Sequence, residues 1–302
     1  MDLKLHDMRA RTVKIINFGS INIDHVYRVE HFVRPGETLS SEDYAVFSGG
    51  KGANQSIALA RAKADVVHVG KIGKEGAWLK EKMQKEGIDT HLVKTVEAPT
   101  GHALIQVNSE GENAIIIHGG ANETFESDDI KEALESAEAG DIVLLQNEIN
   151  SVDKILKLAK EKGLKVVFNP APMTDDVKDY PLELVDIFII NETEGEALSG
   201  ERKPEQIISA MRKFYPKSAV VLTLGKKGVI YADDKEEIKV NALKVKAVDT
   251  TGAGDTFIGY FLAELSRGAK IEKCLEVAVK ASSICVTRKG AADSIPRLDV
   301  DI

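Results

Sequence analysis

From Ser127 onward the chain alternates helix-like and strand-like runs almost without interruption, and that alternation sharply limits the folds open to it. A helical pattern over 127–138 leads into the apolar run 141–145, and another over 151–162 leads into 165–168. The run 187–190 is followed by helical patterns at 192–199 and 204–214, then by the apolar run 219–224. Short β-branched runs bounded by polar residues read as buried strands. Ser151 reads as the cap and Gly163 as the stop of the second helix. Strands joined through helices pair in parallel by right-handed crossovers. The expectation is an α/β fold with a central, mostly parallel sheet and helices on both faces.

Upstream, 13–18 reads as the first buried strand, 52–62 as a helix, 66–69 as a strand and 75–86 as a helix closed by Gly87. Three strand-like runs follow at 91–96, 103–108 and 114–118, the last two joined by a hairpin at 109–112. Runs at 229–232 and 237–240 flank a turn at Asp233-Asp234, and helices at 256–267 and 271–286 complete the pattern. The half-polar strands within 21–48 and 99–118 suit a buried sheet poorly. They are expected to form a small β-sheet lid over the carboxyl ends of the central strands, within one domain spanning 1–302.

Composition narrows the function classes. The formal net charge of −8 argues against nucleic acid as a partner. No apolar stretch approaches the roughly 18 residues of a membrane span, and 1–6 lack the apolar run of a signal peptide. Cys274 and Cys285 suggest no disulfide framework, so a reducing, cytoplasmic setting is expected. Gly50-Lys51 and Gly225-Lys226 lack P-loop spacing, and Gly50-Lys51-Gly52-Ala53-Asn54-Gln55 misses a dinucleotide fingerprint. No histidine spacing suggests a metal centre, and no G-x-S-x-G elbow occurs.

Several polar segments follow strands and therefore share one sheet edge, where folds of this class bind ligands. In Gly252-Ala253-Gly254-Asp255 the glycines let successive amides curl into one concavity, and a helix expected from Thr256 adds partial positive charge, making an anion site. Asp255 is then either a helix cap or a base beside an anion hole. Asn22 and Asp24 suit a vicinal diol, or form an Asx turn. In Gly50-Lys51-Gly52-Ala53-Asn54 glycines admit a ligand to the backbone, Lys51 can meet an oxygen and Asn54 projects from a first helical turn; a plain connector is the other reading. Glu148 adds a carboxylate on the same edge, or is a surface residue. Asn191 and Glu194 open a helix, where acids serve the dipole or hold hydrated Mg²⁺. Thr223-Leu224-Gly225-Lys226-Lys227-Gly228 offers amides, a hydroxyl and two cations to nucleotide phosphates, or is a hairpin turn. The segment 287–294 could wrap back beside Asp249 and Thr251, where helix-end carbonyls and a carboxylate suit a monovalent cation.

These segments resemble the PfkB carbohydrate kinases from Gly19 to about Pro296. Asp249-Thr250-Thr251-Gly252-Ala253-Gly254-Asp255 is similar to that family's signature. The segments 19–24, 49–54, 169–172 and 287–291 are similar to its ribose-phosphorylating branch. The resemblance implies that Asp255 takes the proton from the ribose 5-hydroxyl, and that the amides of 252–255 form the hole for the γ-phosphoryl. It implies sugar contacts from Asn22, Asp24, Gly50, Lys51, Asn54 and Glu148, extended here to Gly52 and Ala53. It implies ATP contacts from Asn191 and 223–228, with Glu194 near Mg²⁺. A potassium-like ion would sit between Asp249 and Thr251 and the carbonyls of Cys285, Arg288 and Gly290, with Ser294 close by. The implied partners are D-ribose and ATP, with a homodimer formed through the lids. A family kinase for fructose, deoxyribose or a nucleoside is the alternative; a non-catalytic sugar-binding protein would not need Asp255.

Overall fold

The computed structural model describes residues 12–302, so 1–6, read above for a signal peptide, lie outside the described residues. In chain order the strands are β1 (Ile15–Phe18), β2 (Asn22–Arg28), β3 (Asp43–Gly49), β4 (Val66–Ile72), β5 (Val93–Thr95), β6 (Gly101–Val107) and β7 (Asn113–His118). They continue as β8 (Ile142–Gln146), β9 (Lys165–Asn169), β10 (Ile187–Asn191), β11 (Ala219–Thr223), β12 (Val229–Ala232) and β13 (Glu237–Val240). The α-helices are α1 (Lys51–Arg61), α2 (Ala77–Lys85), α3 (Ser127–Glu135), α4 (Val152–Glu161), α5 (Glu192–Ser199), α6 (Pro204–Phe214), α7 (Ala253–Ser266), α8 (Ile271–Cys285) and α9 (Leu298–Asp301).

Among the described residues nine strands form one sheet in the order β13-β12-β11-β10-β9-β8-β1-β4-β5. Pairing is parallel from β11 through β5, and antiparallel only where β12 and β13 fold back at one edge. The sheet separates two apolar cores, because alternate strand residues point to opposite faces. Ile15, Ile142, Leu144 and Ile189 pack with α1, α7 and α8. Ile16, Val143, Leu145 and Phe188 pack with α3, α4 and α6. Each large side chain buried this way stabilises the fold by about 1.5–3 kcal/mol. Helices thus cover both faces, as the alternation of runs predicts.

The run at 91–96 becomes β5, the edge strand of this sheet beside β4. Ser151 differs from its expected role: it sits in the left-handed region at φ 62° and makes no capping bond. Gly163 does stop α4, with φ 72°. Cys274 and Cys285 are free thiols buried in α8. No helix of the described residues is long and apolar enough to cross a membrane.

The second sheet runs β3-β2-β6-β7. It leaves the main sheet where β1 ends and returns where β3 runs into α1, so it stands over the carboxyl edge. Its residues alternate: Asn22 and Asp24 lie on one face, while Val46, His25, Leu104 and Ile116 form a row across all four strands on the other.

Candidate active site

Helix α7 begins at Ala253, three residues earlier than its sequence pattern suggests. Gly254 and Asp255 therefore lie inside the first turn, and only Gly252 takes a left-handed conformation, at φ 75°. The turn is closed by Thr256, whose amide and hydroxyl both donate to the Gly252 carbonyl at 2.8 Å. First-turn amides of a helix have no intrahelical acceptor. A Cβ at Gly254 would meet no atom within 4 Å, so the space beside those amides is open.

The Asp255 carboxylate faces α1. Gln55 Nε2 donates to its Oδ1 at 2.9 Å and Asn54 Nδ2 to its Oδ2 at 3.2 Å. Asp255 shares a cavity of about 130 Å³ with Lys51, Asn191, Glu194, Thr223 and Gly254. Burial would lower the Lys51 pKa, but the carboxylates of Asp255, Glu148 and Glu194 together outweigh it and hold the ammonium above its usual range. Burial raises the Glu194 pKa, although Asn191 and Lys51 oppose it. Glu194 is committed locally: its oxygens accept from the Asn191 amide at 3.0 Å and from Asn191 Nδ2 at 2.9 Å, a capping box at the head of α5.

Under the lid lies a second cavity of about 510 Å³, lined by Asn22, Asn122 and Glu148 among others. Asn22 Oδ1 accepts from Asn122 Nδ2 at 2.7 Å. One oxygen of Glu148 accepts from Ser20 Oγ and, at 2.8 Å, from the Lys51 backbone amide; among the described residues no bond occupies its other oxygen. Burial, and then the nearby Glu148, push the Asp24 pKa up from 3.8 to about 6. Gly50 turns the chain from β3 into α1 at φ 90°, against the Ser20 carbonyl.

A third cavity, about 460 Å³, opens between the 225–228 turn, the irregular segment 242–250 and α8. Leu243, Val245, Ala247 and Val286 make it largely apolar, with Lys226 and Ser282 at its borders. Beneath α7, the Asp249 carboxylate accepts from Thr251 N at 2.9 Å and Thr251 Oγ1 at 2.7 Å, and from Gly290 N at 2.9 Å. Cys285 Sγ lies 3.0 Å from Ser294 Oγ and 3.8 Å from the Thr251 carbonyl. Two loops distant in sequence thus meet beneath the head of α7.

Residues 13–298 match the profile of the pfkB family carbohydrate kinases. The chain belongs to this family. It is 40% identical over 299 residues to the ribokinase of Staphylococcus aureus, covering 95% of this chain and 98% of that one. Among solved structures, the ribokinase of Thermotoga maritima superposes with a TM-score of 0.86 at 38% identity, over 95% of this chain and 97% of that one. The Arabidopsis thaliana ribokinase, solved with ribose and ATP, also gives 0.86, at 34% identity over 95% and 96% of the two chains.

Within this pfkB kinase several residues selected from sequence, among them Asn22, Glu148, Lys51, Glu194 and Asp255, line these cavities, whereas Gly52, Ala53, Leu224, Lys227 and the Arg288 side chain do not. Gly52 packs against the backbone of Gly19, where a Cβ would clash. Ala53 is buried and its amide donates to the Ser20 carbonyl at 2.9 Å. Leu224 packs into the core on the α6 face, and Lys227 pairs with Glu192 at 3.3 Å. Arg288 also turns its guanidinium away, onto Asp301 at 2.6 Å. Sequence reasoning missed Ser20, Gln55, Asn122 and the apolar cavity at 243–247. A buried amide leaves no periodic signal; Asn17 inside the run Ile15-Ile16-Asn17-Phe18 is the one such residue a reader could have flagged.

Proposed function

We propose that this pfkB family kinase transfers the γ-phosphoryl group of ATP to the 5-hydroxyl of D-ribose. The observation that carries the reading is the position of Asp255: its carboxylate stands at the head of α7, beside open helix-terminal amides and across from Lys51. Identity of 40% to a ribokinase over nearly the whole chain supports ribose as acceptor.

On this reading Asn22, Asp24 and the free oxygen of Glu148 hold the sugar hydroxyls, with Lys51 and Asn54 at the inner end. Asp255 accepts the 5-hydroxyl proton as the sugar oxygen bonds to phosphorus and the bond from phosphorus to the β,γ-bridging oxygen breaks. Of the amides at 252–255, that of Ala253 donates to the Thr250 carbonyl at 3.3 Å and the others stabilise charge on the transferring group, and ADP departs with the bridging oxygen's electrons. Thr223, Gly225 and Lys226 line the phosphate path, and the apolar cavity at 243–247 takes the adenine. Positioning and electrostatics supply most of the rate.

Glu194 retains lone pairs beyond its two bonds from Asn191, which suits a hold on Mg²⁺ through water. Magnesium, when bound, neutralises phosphate charge. Asp249 and Thr251, with the carbonyls of Cys285, Arg288 and Gly290 and with Ser294 nearby, would supply the hard oxygens that suit K⁺. In the lid row Val46, Leu104 and Ile116 are exposed and apolar around His25 (Ile116 is 65% exposed), which favours pairing of two lids in a homodimer.

The test is ADP release over a panel of D-ribose, 2-deoxyribose, fructose and nucleosides, with and without K⁺. D-Ribose should give the highest kcat/KM. A nucleoside or hexose better by about tenfold would overturn the acceptor assignment.

A further inference from the structure

Behind Asp255 lies a chain of buried side-chain amides that the phosphoryl-transfer reading does not use. Gln55 Nε2 donates to Asp255 Oδ1 at 2.9 Å and reaches Asn169 Oδ1 at 3.3 Å. Its own Oε1 accepts from Gln146 Nε2 at 2.7 Å. Gln146 Nε2 also donates to Asn17 Oδ1 at 3.0 Å. Asn17 Nδ2 donates at 2.8 Å to the Gly52 carbonyl and to Ser56 Oγ. Asn17, Gln55 and Gln146 are at most 1% exposed.

An amide can present either its oxygen or its nitrogen, and the two faces have nearly the same shape. Here the choice is forced from one end. The Gly52 carbonyl can only accept, so Asn17 must turn its NH₂ toward it and its oxygen toward Gln146. Gln146 must then donate to that oxygen, and the same NH₂ group holds Gln55 by its oxygen. Gln55 is left with its NH₂ toward Asp255. Turning Gln146 over would set its oxygen against two other oxygens in a dry interior, which is costly.

Resting on Asp255 as the base, we infer that Gln55 is a positioning residue whose donor face is set through Gln146 and Asn17, so that Oδ1 of Asp255 stays bonded and Oδ2 is the oxygen that takes the acceptor's proton. The other donor, Asn54 Nδ2, is on Oδ2 and belongs to the sugar side, so an arriving hydroxyl can share or replace it. Without the chain, the carboxylate could rotate or take its proton on the oxygen away from the sugar. The titratable groups facing Asp255 are Lys51 from α1, Glu194 from α5 and Cys285 from α8. None of them contacts Oδ1 within hydrogen-bond distance, so the amide is the neighbour that distinguishes the two oxygens.

The experiment compares Gln55→Met, Gln146→Met and Asp255→Asn in the full-length enzyme, measuring kcat, both KM values and the pH dependence of kcat. Gln55→Met keeps the length of the side chain and removes the donor. It should lower kcat about 10- to 100-fold with the ribose and ATP KM values little changed. The acid limb of kcat should move to higher pH, since a carboxylate that loses a donor takes a proton more readily. Gln146→Met, which does not touch Asp255 and adds no charge, removes the donor that holds the Gln55 oxygen and should shift kcat and the limb in the same direction by unlocking Gln55. Both variants should keep the wild-type circular dichroism spectrum and ribose affinity. Unchanged kcat and limb in a folded Gln55→Met, with Asp255→Asn inactive, would overturn the inference and leave the base intact. An active Asp255→Asn would instead overturn the reading on which it rests. If Gln55→Met fails to fold, Gln146→Met decides alone, and an unshifted limb in that variant overturns the proposal.

Discussion

Gly259 of α7 sits against Ala58 of α1 so closely that a Cβ there would overlap the Ala58 side chain and its backbone. One turn earlier on the same two helices, Asp255 meets Asn54 and Gln55. The crossing of two helices at a glycine therefore sets the spacing between the carboxylate and its amide donors.

Gly259→Ala should test that spacing. The added methyl must push α7 from α1 or distort both, at a cost of about 1–3 kcal/mol, which lowers Tm by several degrees. Because Asp255 moves with α7, kcat should fall more than the ribose KM rises. Thermal unfolding and steady-state kinetics on the same preparation check both.

Asp24 gives the proposed sugar site a pH dependence. Burial first, and Glu148 second, raise its pKa from 3.8 to about 6. Between those values the folded protein holds a proton there that the unfolded chain has released. Its contribution to stability is thus fully present below pH 3.8 and is lost as pH rises through 6. For the ligand the sign is opposite, since the ionised carboxylate accepts hydroxyl donors. The ribose KM should rise as pH falls below about 6 while the ATP KM stays flat. Asp24→Asn should raise the ribose KM about 10- to 100-fold at pH 8 and abolish that dependence. An unaltered dependence in the variant would assign it elsewhere.

The joint between Asp249 and Gly290 predicts a response to monovalent cations. At equal ionic strength, KCl should raise Tm by about 2 °C over choline chloride. Asp249→Ala should remove that difference, because it frees the loop ahead of α7 from the loop after α8. Differential scanning fluorimetry reads this without any turnover.

Much of this architecture was readable because its signals are local and periodic. Buried β-branched runs announce parallel strands, and a half-polar pattern such as that around Asp24 announces a sheet with one wet face. The glycine-bearing segments at 49–54 and 252–255 could be read because each combines an unusual backbone need with a costly polar residue. What escaped depends on three-dimensional pairing. Gly254 reads as a turn residue, yet it lies within α7 because tertiary packing of Phe257, Tyr260 and Phe261 outweighs its weak helix propensity. Gln55, Gln146 and Asn17 are far apart in sequence and meet only when α1 crosses β1 and β8. The apolar cavity at 243–247 lies in an irregular segment with no periodicity to betray it.

The central claim is that Asp255 takes the acceptor's proton, and Asp255→Asn tests it most directly. Calorimetric affinities for ribose and ATP should remain close to wild type while kcat falls about 10²- to 10⁴-fold. Turnover near the wild-type rate, in a variant that still binds both ligands, would contradict the account.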